Sequence, residues 1–373
     1  MLECRKNEKL LQERGKAVAR TPSEEGAFLR MVRMVAPGTP LREGLDSILH
    51  GNGGALIVIG ETPEVLQILD GGFPMDIEFA PTYLYELSKM DGAILISQDM
   101  KRILRANAQL VPDSSISSRE TGIRHRTAER TAKATGAILV AISHRRSAIT
   151  LYRGNVKYVV EDPSLTLGKA NQAIATLGRY RGIFDQVATA LTALEFEQEA
   201  TVQDVVQAVQ QAAVLEAIVG EVEFHIAQLG SEGRLISMQM TELVDGVEDE
   251  ALLVIRDYVE DPDPARARET LGQLSAWDHD DLLDLPAVAR FLGLGPGLDG
   301  PMAPRGLRVL SRVPRLPAPV IEKLVERFKS LRNVLEASLE ELDDVEGIGE
   351  IRARAIHSGL RRLHQQTLWD WRS

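Results

Sequence analysis

The sequence predicts an α/β domain with a mixed central sheet, followed by an all-α spine and a helix-hairpin-helix domain. Three observations carry this. Short apolar runs bounded by Gly, Ser or Asp fill the first half, apolar spacing changes to three and four residues after about residue 167, and a Gly-Ile-Gly joins helical patches near the end. The expected domains are 1–166, 167–292 and 293–373. At 373 residues the chain exceeds one ordinary core, and its 44% hydrophobic content is ample for globular folding.

In the first domain, Ala55-Leu56-Ile57-Val58-Ile59, Ala93-Ile94-Leu95-Ile96 and Ala137-Ile138-Leu139-Val140-Ala141-Ile142 read as buried strands. Residues Ala148 to Tyr152 and Val156 to Val160 flank Arg153-Gly154-Asn155, whose Gly and Asn suit a tight antiparallel hairpin. Between these runs, Pro81 to Lys89 and Ser118 to Ala134 have helical spacing. Asn52-Gly53-Gly54 lacks the spacing and Lys of a phosphate-binding Walker loop and reads as a turn before a strand.

The spine follows from Ile174, Leu177, Phe184, Val187, Leu191 and Leu194, and from Val202, Val205, Val206 and Val209, all at amphipathic helical spacing. Residues 293 to 304 are so rich in Gly and Pro that neither helix nor central strand persists through them. Beyond lie helical patches at Arg305 to Val313, Pro319 to Phe328, Leu339 to Val345 and Ile351 to His364. Trp277, Trp369 and Trp371 read as packing or terminal contacts, and His225 and His279 lack metal-ligand spacing.

Composition removes several classes. Cys4 is the single cysteine, so neither an intramolecular disulfide nor a cysteine-rich zinc cage is available. No run approaches the roughly 20 apolar residues of a bilayer span, and Met1-Leu2-Glu3-Cys4-Arg5-Lys6 lacks a signal peptide's apolar stretch, so a cytoplasmic protein without membrane attachment is expected. The net charge of −11 opposes nucleic-acid binding only if evenly spread. It is not: from Pro301 to Ser373 there are 13 Lys and Arg against 10 Asp and Glu.

Chemistry concentrates in Glu120-Thr121-Gly122-Ile123-Arg124-His125-Arg126-Thr127, before an expected helix whose N-terminal N–H groups favour anions. Two Arg forks with a Thr hydroxyl beside them suit a polyphosphate, although a lone Arg-His-Arg also reads as a solvated basic turn. Met90-Asp91-Gly92-Ala93 stands at a strand entrance, where Asp-Gly alone also reads as an ordinary turn but Asp91 can hold Mg²⁺ or Mn²⁺ or help deprotonate a ribose hydroxyl. Ser143-His144-Arg145-Arg146 follows another strand, where it reads either as a charged loop that blunts a sheet edge or as a site at which Ser143, Arg145 and Arg146 receive a pyrophosphate leaving group.

Together, Asp91-Gly92-Ala93 and Arg124-His125-Arg126, in this order and at this distance, resemble the two signature motifs of the diadenylate cyclases in the bacterial DNA integrity scanning family. The resemblance implies condensation of two ATP into cyclic di-AMP and two pyrophosphate with Mg²⁺ or Mn²⁺. It implies that Asp91 serves the 3′-hydroxyl and the metal, that Arg124, His125 and Arg126 serve the phosphates, and that Gly92, Ala93, Leu110, Ile123 and Thr127 line the nucleotide pocket. Ile123 is a tolerated variation in that pattern. A helical spine, a helix-hairpin-helix tail, a homo-octamer and inhibition by branched DNA such as junctions are further implications.

The tail's own signature is Val345-Glu346-Gly347-Ile348-Gly349-Glu350 between helices. Gly347, Ile348 and Gly349 would bring backbone N–H groups to a DNA phosphate, with Arg352 and Arg354 opening the next helix, which reads shape rather than base sequence. Arg312 to Pro319 reads as a degenerate partner hairpin. Two other readings are open from the residues: a non-enzymatic structure-specific DNA-binding protein with a nucleotide-sensing domain, and another nucleotidyl transferase or DNA-processing enzyme.

Overall fold

Apolar strands too continuous for a half-exposed sheet need cover on both faces, and they receive it. A computed structural model describes residues 22–143 and 147–372. It divides into two compact units: the described residues up to Lys169 with Phe224–Leu235, and Ala170–Glu223 with the residues from Ile236 onward.

The first unit holds helices α1 (Pro22–Met34), α2 (Pro40–His50), α3 (Pro63–Ile68), α4 (Pro81–Leu87) and α5 (Ile123–Thr135). Its strands are β1 (Leu56–Ile59), β2 (Leu69–Asp70), β3 (Phe73–Glu78), β4 (Ala93–Ile96), β5 (Arg102–Leu110), β6 (Ile138–Ser143), β7 (Ala148–Arg153) and β8 (Val156–Val159). The sheet runs β2-β5-β4-β1-β6-β7-β8, with β3 also on β5; β1 and β4 are parallel, and the other pairs are antiparallel. The expected mixed sheet is therefore present.

Alternation sends Ile57, Ile59, Ile94, Ile96, Val140 and Ile142 to one face, against Met31, Leu41, Leu45, Ile48 and Leu84. It sends Leu56, Val58, Ala93, Leu95, Leu139 and Ala141 to the other, against Val65, Ala128 and Ala132. Each fully buried Val, Leu or Ile contributes roughly 1.5–3 kcal/mol, which is why four-residue strands suffice. Pro in the first turn and the Thr39 and Thr62 hydroxyls, which accept from Arg42 N and Val65 N, start α2 and α3.

The structure differs from the sequence reading at several elements of this unit. Helix α5 starts at Ile123 rather than Ser118, because the Glu129 carboxylate accepts from Ser118 Oγ at 2.5 Å and Arg119 N at 3.1 Å and holds that segment as a loop. Strands β3 and β5 were not anticipated: β5 reads Arg-Ile-Leu-Arg-Ala-Asn-Ala-Gln-Leu, its polar residues breaking the apolar run. The short strand β2 was missed as well.

The long helices α6 (Pro163–Glu197) and α7 (Val202–Leu229) each contribute residues to both units. Residues 224–235 join the first: Phe224 stacks on Phe28 with ring centroids 5.9 Å apart, Gln228 Nε2 donates to Tyr158 Oη at 3.0 Å, and Ser231 N donates to the Pro37 carbonyl at 3.1 Å. One window within Val202–Tyr258 is long and apolar enough to cross a membrane by composition, with 56% of it buried. Its Val205, Val206, Val209, Ala212 and Ala213 belong to the spine core, so this is a core helix.

Helix α8 (Arg234–Val244) starts in the first unit and continues in the second, which also holds α9 (Val247–Tyr258), α10 (Pro264–Ser275), α11 (His279–Leu282), α12 (Leu285–Phe291), α13 (Leu307–Ser311), α14 (Ala318–Phe328), α15 (Leu331–Glu336), α16 (Leu339–Asp343) and α17 (Glu350–Arg372). Helix α15 was not anticipated. The Gly/Pro-rich stretch is tied down: Val202 N donates to Gly300 O and Met302 N to Ala200 O. Trp277 packs edge-to-face on Phe291, whereas Trp369 is 80% exposed.

An ionic cluster joins spine and tail. Arg308, wholly buried, meets Glu195 at 2.5 Å and Glu250 at 2.7 Å, and Arg312 also reaches Glu250 at 2.6 Å. The Asp257 carboxylate accepts N–H groups of Gly306, Leu307 and Arg308 at 2.7–2.9 Å and caps α13. Burial alone would raise the Glu250 carboxyl, but the Arg308 and Arg312 guanidinium groups outweigh it and hold it below the usual range.

Candidate active site and nucleic-acid interface

Strand directions decide which loops meet. Because β4 runs parallel to β1 while β6 is antiparallel to it, the start of β4 and the end of β6 reach the same end of the sheet. The end of β5 joins them, since Ala93 pairs with Ala108. There a cavity of about 780 Å³ opens, lined among others by Asp91, Gly92, Ala93, Leu110, Ile123, Arg124, His125, Thr127 and Ser143. These are nine of the residues singled out from sequence. Leu56, Ala108 and Ile142 add apolar wall suited to a base, and Gln109, Thr121 and Gly122 complete the lining.

Asp91 is fully exposed, and its Oδ1 lies 3.5 Å from Arg124 Nη2. Gly92 has φ +99, and a Cβ there would stand 2.8 Å from the Ala108 carbonyl oxygen, so both backbone and space demand glycine. Gly54 was read only as part of a turn. A Cβ on it would stand 2.7 Å from Arg124 Nη1, so its bareness admits the guanidinium.

The motif Arg124-His125-Arg126 lies within the first turn of α5 rather than before it, and its three side chains part. Arg124 faces the cavity. His125, 8% exposed, turns inward, its Nδ1 3.0 Å from Tyr152 Oη. Arg126 does not line the cavity: its Nε and Nη2 donate to the carbonyls of Glu120 and Thr121, both at 3.2 Å. Tyr152 Oη donates to Glu120 Oε1 at 2.9 Å, and Lys157 Nζ donates to the same oxygen. Burial would raise the Glu120 carboxyl, but these hydrogen bonds outweigh it and leave it lowered. Arg145 and Arg146 lie outside the described residues, as does Cys4.

Among the described residues, no three His, Cys, Asp or Glu converge as a metal cage. A single exposed carboxylate fits Mg²⁺ or Mn²⁺ nonetheless, because Mg²⁺ commonly takes one or two carboxylates and completes its shell with substrate phosphates and water.

In the tail, Gly347 has φ +88 and a Cβ on Gly349 would meet nothing within 4 Å, so this edge of the hairpin is open. Ile348 is buried in the tail core with Leu342, Val345 and Ile356, so its side chain anchors the turn rather than facing outward. Arg352 and Arg354 are exposed at the start of α17; Arg352 donates to the Gly347 carbonyl and Arg354 pairs with Glu350. Such exposed pairs are weak and readily exchanged for phosphate. The segment Val313-Pro314-Arg315-Leu316-Pro317 forms a second turn between α13 and α14, with Arg315 at φ +64.

Residues 42–156 match the family model described as DisA bacterial checkpoint controller nucleotide-binding, 160–299 the DisA bacterial checkpoint controller linker region, and 330–359 the helix-hairpin-helix motif. The DNA integrity scanning protein DisA of Symbiobacterium thermophilum is 54% identical over 92% of this chain and 97% of its own length. That of Carboxydothermus hydrogenoformans is 54% identical over 90% and 96%. A crystal structure of DacA from Staphylococcus aureus aligns at 20% identity over 38% of this chain and 90% of its own, with TM-score 0.27, too slight a likeness to carry an argument.

Proposed function

The chain belongs to the DisA family and is a diadenylate cyclase joined to a helix-hairpin-helix module, and from that premise we propose that the cavity at the sheet end is its reaction centre. The observation that carries this is the meeting of Asp91 and Arg124 across a cavity with an apolar wall. The non-enzymatic reading is not favoured, since the nucleotide-binding match spans the motifs of that cavity.

In this reading the 3′-oxygen of each ATP attacks the α-phosphorus of the other, pyrophosphate leaves in line, and two phosphodiester bonds close the ring. Arg124 and the α5 N-terminus receive phosphate, with Arg126 exposed on the same turn, and Gly92, Ala93, Leu110, Ile123, Thr127 and Ser143 enclose the nucleotide. Arg145 and Arg146 take the pyrophosphate. A triphosphate offers Arg124 a stronger partner than Asp91 and releases that carboxylate toward the 3′-hydroxyl. Asp91 would hold Mg²⁺ or Mn²⁺, whose charge would offset that of two polyphosphates. Positioning and charge stabilisation account for the rest.

One cavity with one carboxylate serves half of a symmetric reaction, so two domains meet face to face, within the octamer that the sequence resemblance implies. Ile123, 82% exposed on the rim, is the kind of apolar residue such a meeting covers. The division 1–166, 167–292 and 293–373 assigns cyclase, spine and DNA sensor. The tail binds branched DNA such as junctions through Gly347, Ile348, Gly349, Arg352 and Arg354, and the whole acts in the cytoplasm without a membrane partner.

The test is incubation of purified protein with ATP and Mg²⁺ or Mn²⁺, products identified by mass, for wild type and Asp91→Asn. Cyclic di-AMP from wild type and at least about 10²-fold less from the variant is expected, the scale of removing one transition-state interaction. Equal turnover removes the assignment.

A further inference from the structure

His125 sits in the signature motif and lines the cavity, yet it is largely buried, and its ring meets a chain of groups from three other places in the sequence. Its Nδ1 lies 3.0 Å from Tyr152 Oη on β7, and that hydroxyl lies 2.9 Å from Glu120 Oε1 in the loop before α5. Lys157 on β8 donates to the same carboxylate oxygen. Glu120 and His125 are each 8% exposed and Tyr152 1%.

A proton inventory orders the chain. A carboxylate can only accept, and a phenol has one proton. Tyr152 therefore donates to Glu120 and accepts from His125, which fixes the His125 proton on Nδ1 and sets the ring's tautomer and tilt. His125 is the next residue after Arg124 in the first turn of α5, so fixing the ring fixes the turn that aims Arg124.

We propose that Glu120, Tyr152 and Lys157 are positioning residues of the cyclase centre, acting through His125 to hold the first turn of α5 and the Arg124 guanidinium against the phosphates. The proposal rests on the reading of Arg124 and His125 as part of the reaction centre. Nothing in the signature motifs contains Tyr152 or Lys157. Glu120, Tyr152 and Lys157 do not line the cavity, so their loss degrades alignment rather than occupancy: the cavity's apolar wall and Asp91 remain to bind ATP.

The experiment is steady-state kinetics with ATP on full-length Tyr152→Phe, Lys157→Met, Glu120→Gln, Glu120→Leu and His125→Asn, with unfolding midpoints measured alongside. Tyr152→Phe is expected to lower kcat tenfold or more with KM within about threefold, since a mispositioned group near the chemistry costs rate before binding. Glu120→Gln, which keeps an acceptor oxygen, recovers part of the loss seen in Glu120→Leu. In the His125→Asn background Tyr152→Phe adds no further loss, because its route is already cut. Wild-type kcat in Tyr152→Phe, or a loss that multiplies undiminished in the His125→Asn background, overturns the proposal. If Tyr152→Phe does not fold, Lys157→Met decides: Lys157 is half-exposed, and an unchanged kcat overturns the relay. Wild-type turnover in His125→Asn instead removes the motif reading on which the relay rests.

Discussion

At Gly54 an added Cβ would stand 2.7 Å from Arg124 Nη1 and 3.2 Å from the Ile142 carbonyl oxygen. The first neighbour is the end of a flexible side chain, so Gly54→Ala should fold while displacing the guanidinium. We expect KM for ATP to rise roughly tenfold, a fraction of what a charge-assisted hydrogen bond is worth. Initial rates against ATP concentration check this, and unchanged KM and kcat would show that Arg124 does not need that space. The two charged motifs were legible because each packs its chemistry into three or four consecutive residues. Gly54 was not, since a glycine announces a turn before it announces a neighbour, and Tyr152 was not, because it meets His125 and Glu120 from 27 and 32 residues away.

At the scale of elements, the strand runs Leu56–Ile59, Ala93–Ile96 and Ile138–Ser143 were readable because strands buried on both faces are continuously apolar. Strand β5 was not, because its exposed and buried residues interleave with polar ones, and it supplies Leu110 to the cavity. In the tail, the turn at Val345 to Gly349 was legible from its glycines, whereas α15 is six residues long and has too little period to show. Gly347→Asp with Gly349→Asp puts carboxylates where a phosphate approaches. Affinity for a four-way junction should fall about tenfold or more, and the salt slope should shrink by about one for each phosphate the turn no longer engages. An unchanged slope in fluorescence titrations at several salt concentrations would exclude this turn from the interface. Glu250 gives a pH-dependent counterpart. Its folded-state pKa is lowered, so its stabilisation is present above the ordinary carboxylate range, near 4.5, and is lost as pH falls through the folded value. Glu250→Gln should cost about 3 kcal/mol at pH 7, and the gap to wild type should narrow below about pH 4.5. Denaturant unfolding at pH 7, 5 and 4 measures it, and a gap independent of pH would refute the sign.

For the whole molecule, a net charge of −11 coexists with a tail carrying 13 Lys and Arg against 10 Asp and Glu, so the tail is the segment whose net charge favours DNA. The order of the parts was legible because apolar spacing changes from strand-like to helical after the first part, and Gly and Pro punctuate the chain before the tail. If two cavities must face each other, an excess of Asp91→Asn subunits exchanged into active protein should lower cyclic di-AMP output per active subunit. That output should fall toward zero when nearly every active copy has an inactive partner, because one bond of the ring then cannot form. Output strictly proportional to active subunits would make each cavity self-sufficient. What no local pattern announced is that residues 224–235 pack with the first unit, because a helix that leaves a domain and returns keeps its period throughout.

That return sets a timetable for synthesis. A ribosome that has released residue 169 has not yet supplied Phe224 for Phe28, Gln228 for Tyr158 or Ser231 for the Pro37 carbonyl, so the nascent first unit waits for more than fifty further residues before its packing closes. At about 5–20 residues per second this is an interval of several seconds, long enough for an apolar edge to meet a chaperone or another nascent chain. A fragment ending at residue 169 should accordingly resist protease less than one ending at residue 240, and equal resistance would show that the late segment adds nothing to the early one.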